Sequence, residues 1–121
     1  ADPARAVRAV RSVLRPGGEL LSLEAVSLPL SIAMPWRGVA ALGERNNSTH
    51  WWRPNMAAHR SLLRAGGFDV VDHGGPVFQP LGGWRPRFPK TRPRGWAELH
   101  YWLFTRQFGI PSAWARCRPT P

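Results

Sequence analysis

The sequence predicts an α/β fold. Twice a stretch of helical period runs into Gly-Gly and then at once into a short apolar run, first at Gly17-Gly18 and again at Gly66-Gly67. A third apolar run near the end alternates with a period of two, the mark of a strand with unlike faces. Helices that feed strands through tight glycine turns build a sheet with helices packed on it.

Each element follows in order. Over residues 2–15 Asp2 can cap the orphan amides, Pro3 fits the first turn, and Val7, Val10, Val13 and Leu14 recur at helical spacing. Arg5, Arg8, Arg11 and Arg15 fall on the opposite stripe, the usual pattern of a solvated face. Pro16-Gly17-Gly18 stops the helix. Residues 19–28, ELLSLEAVSL, have few polar interruptions, as expected of a strand covered on both faces.

Periodicity fades over 29–53, where proline, glycine and asparagine punctuate the run, and a loop of that length is expected to act as a lid or substrate loop. A second helix opens at Pro54 and closes at Gly66-Gly67, with Ala58, Leu62 and Ala65 on one stripe and Leu63 beside it. Phe68 to Asp72 reads as a short strand. Residues 74–95 are rich in proline, glycine and arginine (Arg85, Arg87, Arg92, Arg94) and are expected to be a loop. Trp96, Leu99, Trp102 and Leu103 share one face of a helix over 96–108. In residues 112–118 Ala113, Ala115 and Cys117 point to one side and Ser112, Trp114, Arg116 and Arg118 to the other, which makes the last strand.

A chain of 121 residues with 43% hydrophobic and 20% charged positions supports a single domain, 1–121. No run approaches the ~18 apolar residues that a membrane-spanning helix needs. The single cysteine, Cys117, excludes an intramolecular disulfide and a cysteine-rich zinc site, and points to a cytoplasmic setting. Ala1-Asp2-Pro3 reads like the start of a helix already inside a fold, so the chain is expected to be a piece of a longer one.

Seventeen basic against seven acidic residues give a net charge of +10, and Lys90 is the only lysine. Such a balance attracts anionic partners, and guanidinium forks suit phosphate. The same composition also follows from a GC-rich coding sequence.

The run DPARAVRAVRSVLRPGGELLSLEAV resembles the segment of class I S-adenosylmethionine-dependent methyltransferases that holds the helix before the fifth strand and that strand itself. WWRPN (Trp51 to Asn55) leading into LLRAGGF (Leu62 to Phe68) resembles the branch similar to the tRNA wobble-uridine carboxymethyl-forming enzymes. GIPSAWARCRP (Gly109 to Pro119) resembles the closing strand of such proteins. The resemblance implies a Rossmann-like sheet whose strands five, six and seven lie here in the order 5-7-6, the last antiparallel. It implies S-adenosylmethionine as cofactor and a tRNA base or a small metabolite as methyl acceptor. The family's main cofactor-binding elements are not in this chain, and no Gly-x-Gly turn lies between a strand and a helix. The N-terminal half of the same protein is therefore the implied partner. The first strand would then expose the edge its missing neighbour should cover, an aggregation hazard.

Glu24 stands towards the carboxyl end of the first strand, where open α/β sheets bind ligands; its alternative is a partly exposed strand-end acid. Trp51 and Trp52 can stack on a base or pack the loop onto the core. Asn55 can bond a base edge or cap the helix. These four form the candidate substrate-binding set. Methyl transfer rests chiefly on in-line positioning, so no universal catalytic residue is expected. His50, His59, His73 and His100 lack metal-ligand spacing, and Cys117 reads as a buried apolar residue. The rival readings are a non-catalytic basic nucleic-acid-binding module, built on the arginines of 85–94 and the tryptophans, and a degenerate methyltransferase-like subunit.

Overall fold

A computed structural model describes residues 2–42, 52–79 and 107–121, with positions 95, 96, 99 and 103 between them. Its elements are α1 (Pro3–Val13), β1 (Leu20–Ala25), α2 (Leu28–Ala33), β2 (Ala40–Leu42), β3 (Trp52–Pro54), α3 (Met56–Ala65), β4 (Phe68–Gln79) and β5 (Ile110–Pro119). The fold is α/β. A three-stranded sheet runs in the order β1-β5-β4, and β2 and β3 form a separate two-stranded ribbon. β5 is antiparallel to both neighbours, so β1 and β4 run the same way. This arrangement is compatible with the order 5-7-6.

The alternation in β5 sets the layers. Ala113, Ala115 and Cys117 are buried, whereas Arg116 and Arg118 are exposed. Residues directly opposite each other in a ladder share a face, so Leu20 (opposite Cys117) and Ser22 (opposite Ala115) join the buried side. There Leu63 and Phe68 meet Ala115 and Cys117, with Val7, Leu14, Leu20 and Val70 around them. The helices thus cover one face of the sheet through α1 and α3.

β1 departs from the expected doubly covered strand. It ends at Ala25, because Ser27 turns the chain by capping α2 through its hydroxyl. Its other face is open: Leu21 is 72% exposed and Leu23 49%. Its outer edge is unpaired as well, since β5 is its one partner among the described residues. A strand with apolar side chains and free backbone on one edge is a template for association. The 121-residue chain alone is expected to self-associate in sedimentation velocity, and the pair Leu21→Lys, Leu23→Lys to convert it to monomer. A monodisperse wild-type monomer would contradict this.

Helix α1 also buries less than its periodicity suggests. Val7 and Leu14 reach the core, but Val13 is 79% exposed, because α1 packs chiefly on α3 and not broadly on the sheet. The contact includes the turn after α3. A Cβ on Gly66 would collide with Val7 Cγ1, and Gly67, at φ +88°, lies beneath the Arg11 side chain. Arg11 fastens the junction by donating from Nε to the Gly67 carbonyl (2.9 Å) and from Nη2 to the Thr120 carbonyl (2.8 Å).

The stretches read as loops hold more structure. Residues 29–53 contain α2, β2 and the start of β3, each too short to show a period. β4 continues through Gly74-Gly75-Pro76 to Gln79. Register shifts lie between Val70 and Asp72 and between Gly74 and Val77, so Pro76 falls in a bulge where no ladder donor is needed. Gly74 is required because the Trp114 indole lies where its Cβ would be. On α3 the buried set is Ala57, Ala58, His59 and Leu63, while Ala65 is exposed. Of the helix over 96–108, Trp96, Leu99, Leu103, Gln107 and Phe108 are described, all helical. Trp102 and the arginines of 85–94 lie outside the described residues.

Candidate functional site

The carboxyl end of β1 is built from three elements that meet there. Beyond the sheet ladder, Val26 N–H donates to the Pro111 carbonyl (2.9 Å) and Ser27 N–H to the Pro54 carbonyl (2.9 Å). The second bond ties the end of β1 to the strand that leads into α3. Local sequence explains the geometry: Ser27 leaves the strand to cap α2, and Asn55 leaves β3 to cap α3.

Asn55 is 0% exposed and holds this end together. Its Oδ1 accepts from Ala58 N–H (2.8 Å) and Val39 N–H (3.2 Å). Its Nδ2 donates to the carbonyls of Met34 (2.9 Å), Arg37 (2.8 Å) and, at 3.5 Å, Leu30. Its backbone N–H donates to the Val39 carbonyl (2.8 Å). One amide thus closes the helix start and anchors the loop that α2 enters. Its hydrogen-bonding capacity is spent on backbone, so Asn55 positions this loop and offers no donor to a base edge.

Glu24 lies opposite Ala113, one residue before the end of β1, and is half-buried. Burial pushes its carboxyl above the usual glutamate range. No hydrogen bond or ion pair reaches it among the described residues, in contrast to Glu19, which binds Arg118 (2.8 Å) and Arg116 (3.9 Å). An unpaired, partly desolvated carboxyl at this edge can accept a hydrogen bond or a proton. Trp52 stands in β3 opposite Leu42 and is half-buried. The structure therefore places Asn55 at the ribbon end that Ser27 ties to β1, the strand of Glu24, and Trp52 at the other end of the ribbon, opposite Leu42. Trp51 lies outside the described residues.

Sequence reasoning missed a polar pair inside the core. Ser22 and His59 meet at 2.9 Å between Oγ and Nε2, across the β1–α3 contact. His59 is 2% exposed, and its Nδ1 has no partner. The Nε2–H tautomer is the one that fits, because it donates to Ser22 and leaves a bare lone pair, not an orphan N–H, at Nδ1. The available signal was Ser22, the one hydroxyl in LLSLEA, on the face that α3 covers.

Burial first, and the Arg60 charge second, hold the His59 imidazole down at about 4. The imidazole is therefore neutral in the folded state near neutral pH, while the unfolded chain titrates near the ordinary value of 6.5. Between those two values the unfolded state binds the extra proton, so stability falls as pH drops through that window. A loss of about 2 kcal/mol is expected on going from neutral pH to the lower end. Glu24, with its raised value, works in the opposite sense at the acid end, since protonation relieves its burial. Urea unfolding should show a shallower pH dependence for His59→Gln; an unchanged slope would remove His59 as its source.

Among the described residues no group of three or more histidine, cysteine or acidic side chains could hold a metal ion. Nor is any described helix long and apolar enough to cross a membrane. The chain matches no family model, no curated protein and no solved structure.

Proposed function

We infer that this chain is the C-terminal half of a class I S-adenosylmethionine-dependent methyltransferase acting in the cytoplasm, where it completes the sheet and builds part of the acceptor side. The observation that carries the reading is the sheet itself. Two strands of like direction flank a last, antiparallel one, and among the described residues the outer edge and one face of β1 are left uncovered. This supports the reading, because a strand with more sheet beyond it presents such an edge. Sequence resemblance supplies the rest.

S-adenosylmethionine itself does not fit the described residues. The β1–α2 junction, Val26-Ser27, has no glycine to let backbone amides approach a ligand, and Ser27 spends its hydroxyl on the helix cap. The cofactor would be held by the N-terminal half. What this chain contributes is the acceptor side: Glu24 as a hydrogen-bond or proton acceptor, Trp51 and Trp52 as groups for stacking on a base, and Asn55 as the post that fixes the loop between α2 and β2. The acceptor is a tRNA base or a small metabolite.

The test uses the polypeptide encoded by the complete reading frame around this segment. Labelled methyl transfer from S-adenosylmethionine to total tRNA, or to a small-molecule extract, is expected, and Glu24→Gln should lower it about tenfold or more. If the full product neither binds S-adenosylmethionine in calorimetry nor transfers label, the reading fails. The non-catalytic nucleic-acid module or the degenerate subunit then replaces it.

A further inference from the structure

We propose that the outer face of α1, together with the groove at its carboxyl end, is a binding surface for the sugar-phosphate backbone of a nucleic acid. This inference does not depend on the methyltransferase reading. It rests on charge placement around one helix and one cavity.

Arg5, Arg8, Arg11 and Arg15 project along one stripe of α1 and its exit, and all four are exposed. The one acid on the helix is Asp2 at its start, which sits 3.6 Å from Arg8. Arg5 and Arg15 have no acidic partner among the described residues. Arg11 is fixed in place by two carbonyls, which orient its guanidinium without neutralising it. Such a donor is pre-organised, so little side-chain entropy is lost when an anion docks.

The stripe leads into a cavity of about 430 Å3 between the Pro16-Gly17-Gly18 turn and the segment after β5. Arg11, Arg15 and Arg118 stand on its wall, and Gly17 and Gly18 leave one side free of side chains. Arg118 is balanced by Glu19, whereas Arg11 and Arg15 are not. Every charged side chain on its wall is an arginine, and a concave site of that kind concentrates counter-ions. Arg5, Arg8 and Arg11 follow one another at helical steps of three, which sets neighbouring Cβ atoms about 5–6 Å apart and lets adjacent guanidinium groups reach successive phosphates.

An anionic membrane is the less suitable partner. A helix that lies on a bilayer needs a broad free apolar face, but Val7 and Leu14 of α1 are packed on the core, which leaves Val10 and Val13 as its exposed large apolar side chains.

The experiment measures binding of a labelled single-stranded RNA, and of a DNA of the same sequence, by anisotropy between about 50 and 200 mM salt. No S-adenosylmethionine is present, so the result is separate from the methyl-transfer assay. The triple variant Arg5→Gln, Arg8→Gln, Arg15→Gln should flatten the slope of log K against log salt by about 2, close to 0.7 per lost phosphate contact. Arg15→Gln alone, beyond the last helical residue, should flatten it by about 0.7 and guards against a triple variant that does not fold. Arg37→Gln, an exposed residue in the turn after α2 and at the other end of β1 from the groove, removes the same charge and should leave the slope unchanged. Equal losses in Arg37→Gln and Arg15→Gln would reduce the effect to net charge and overturn the proposal. Unchanged slopes in the α1 variants, or binding to phosphatidylserine vesicles with none to either nucleic acid, would overturn it too. The RNA and DNA arms show which sugar the surface accepts.

Discussion

Replacing Asn55 by alanine is expected to lower stability by about 4 kcal/mol, a large part of the reserve of a domain this size. The helix cap accounts for about 1 kcal/mol of that. The remainder comes from the groups left behind: the carbonyls of Met34 and Arg37 and the N–H of Val39 would face a methyl group. Water cannot readily replace the amide, since Asn55 is fully enclosed. Asn55→Asp separates the two parts, because a carboxylate keeps the bonds from Ala58 and Val39 but opposes the carbonyls with another acceptor. It should therefore still cost well over 1 kcal/mol. Chemical denaturation of the three proteins decides the matter; a loss below about 1 kcal/mol in Asn55→Ala would show that the loop is held by other means.

Gly66→Ala should be nearly as damaging, at about 3 kcal/mol, although alanine is the better helix former. The added methyl would occupy the place of Val7 Cγ1, so α1 must lift off the turn. That movement also loosens the Arg11 bonds to Gly67 and Thr120. The effect should be strongly non-additive with Val7→Ala, which makes room for the methyl. In a double-mutant cycle the pair should cost at least 1 kcal/mol less than the sum of the single changes. Additive losses would mean that the collision is not the cause.

These two positions show what reading the chain reveals and what it hides. Gly-Gly after α1 and after α3 marks those two helix exits on local grounds alone, and the alternation of Ala113, Ala115 and Cys117 assigns the buried side of β5 directly. That Gly66 is also a seat for Val7 depends on a contact between α1 and α3, which no local pattern encodes. α2 was missed because a six-residue helix shows less than two turns of period. The extension of β4 was missed because Gly74-Gly75-Pro76 signals a turn, whereas in the folded chain Trp114 and two bulges make room for it. At the candidate site, Glu24 was readable as a strand-end residue, but the strand that holds Trp52, only three residues long, and the commitment of Asn55 to backbone were not. Its partners lie between positions 30 and 58, and side-chain direction decides which of its two possible roles it takes.

The placement of β5 has a consequence for how the protein is made. β1 and β4 each pair with β5 and not with each other, and Leu20 meets Cys117 from almost the other end of the chain. During synthesis both outer strands therefore leave the ribosome before their shared partner exists. Until residues 110–119 emerge, the helices can form but the sheet has no middle, and the nascent chain carries two open edges at once. Closing it brings together segments distant in sequence, which makes the final step slow compared with local helix formation. A stop codon before β5 would not trim a margin of this domain; it would remove the strand on which both others hang.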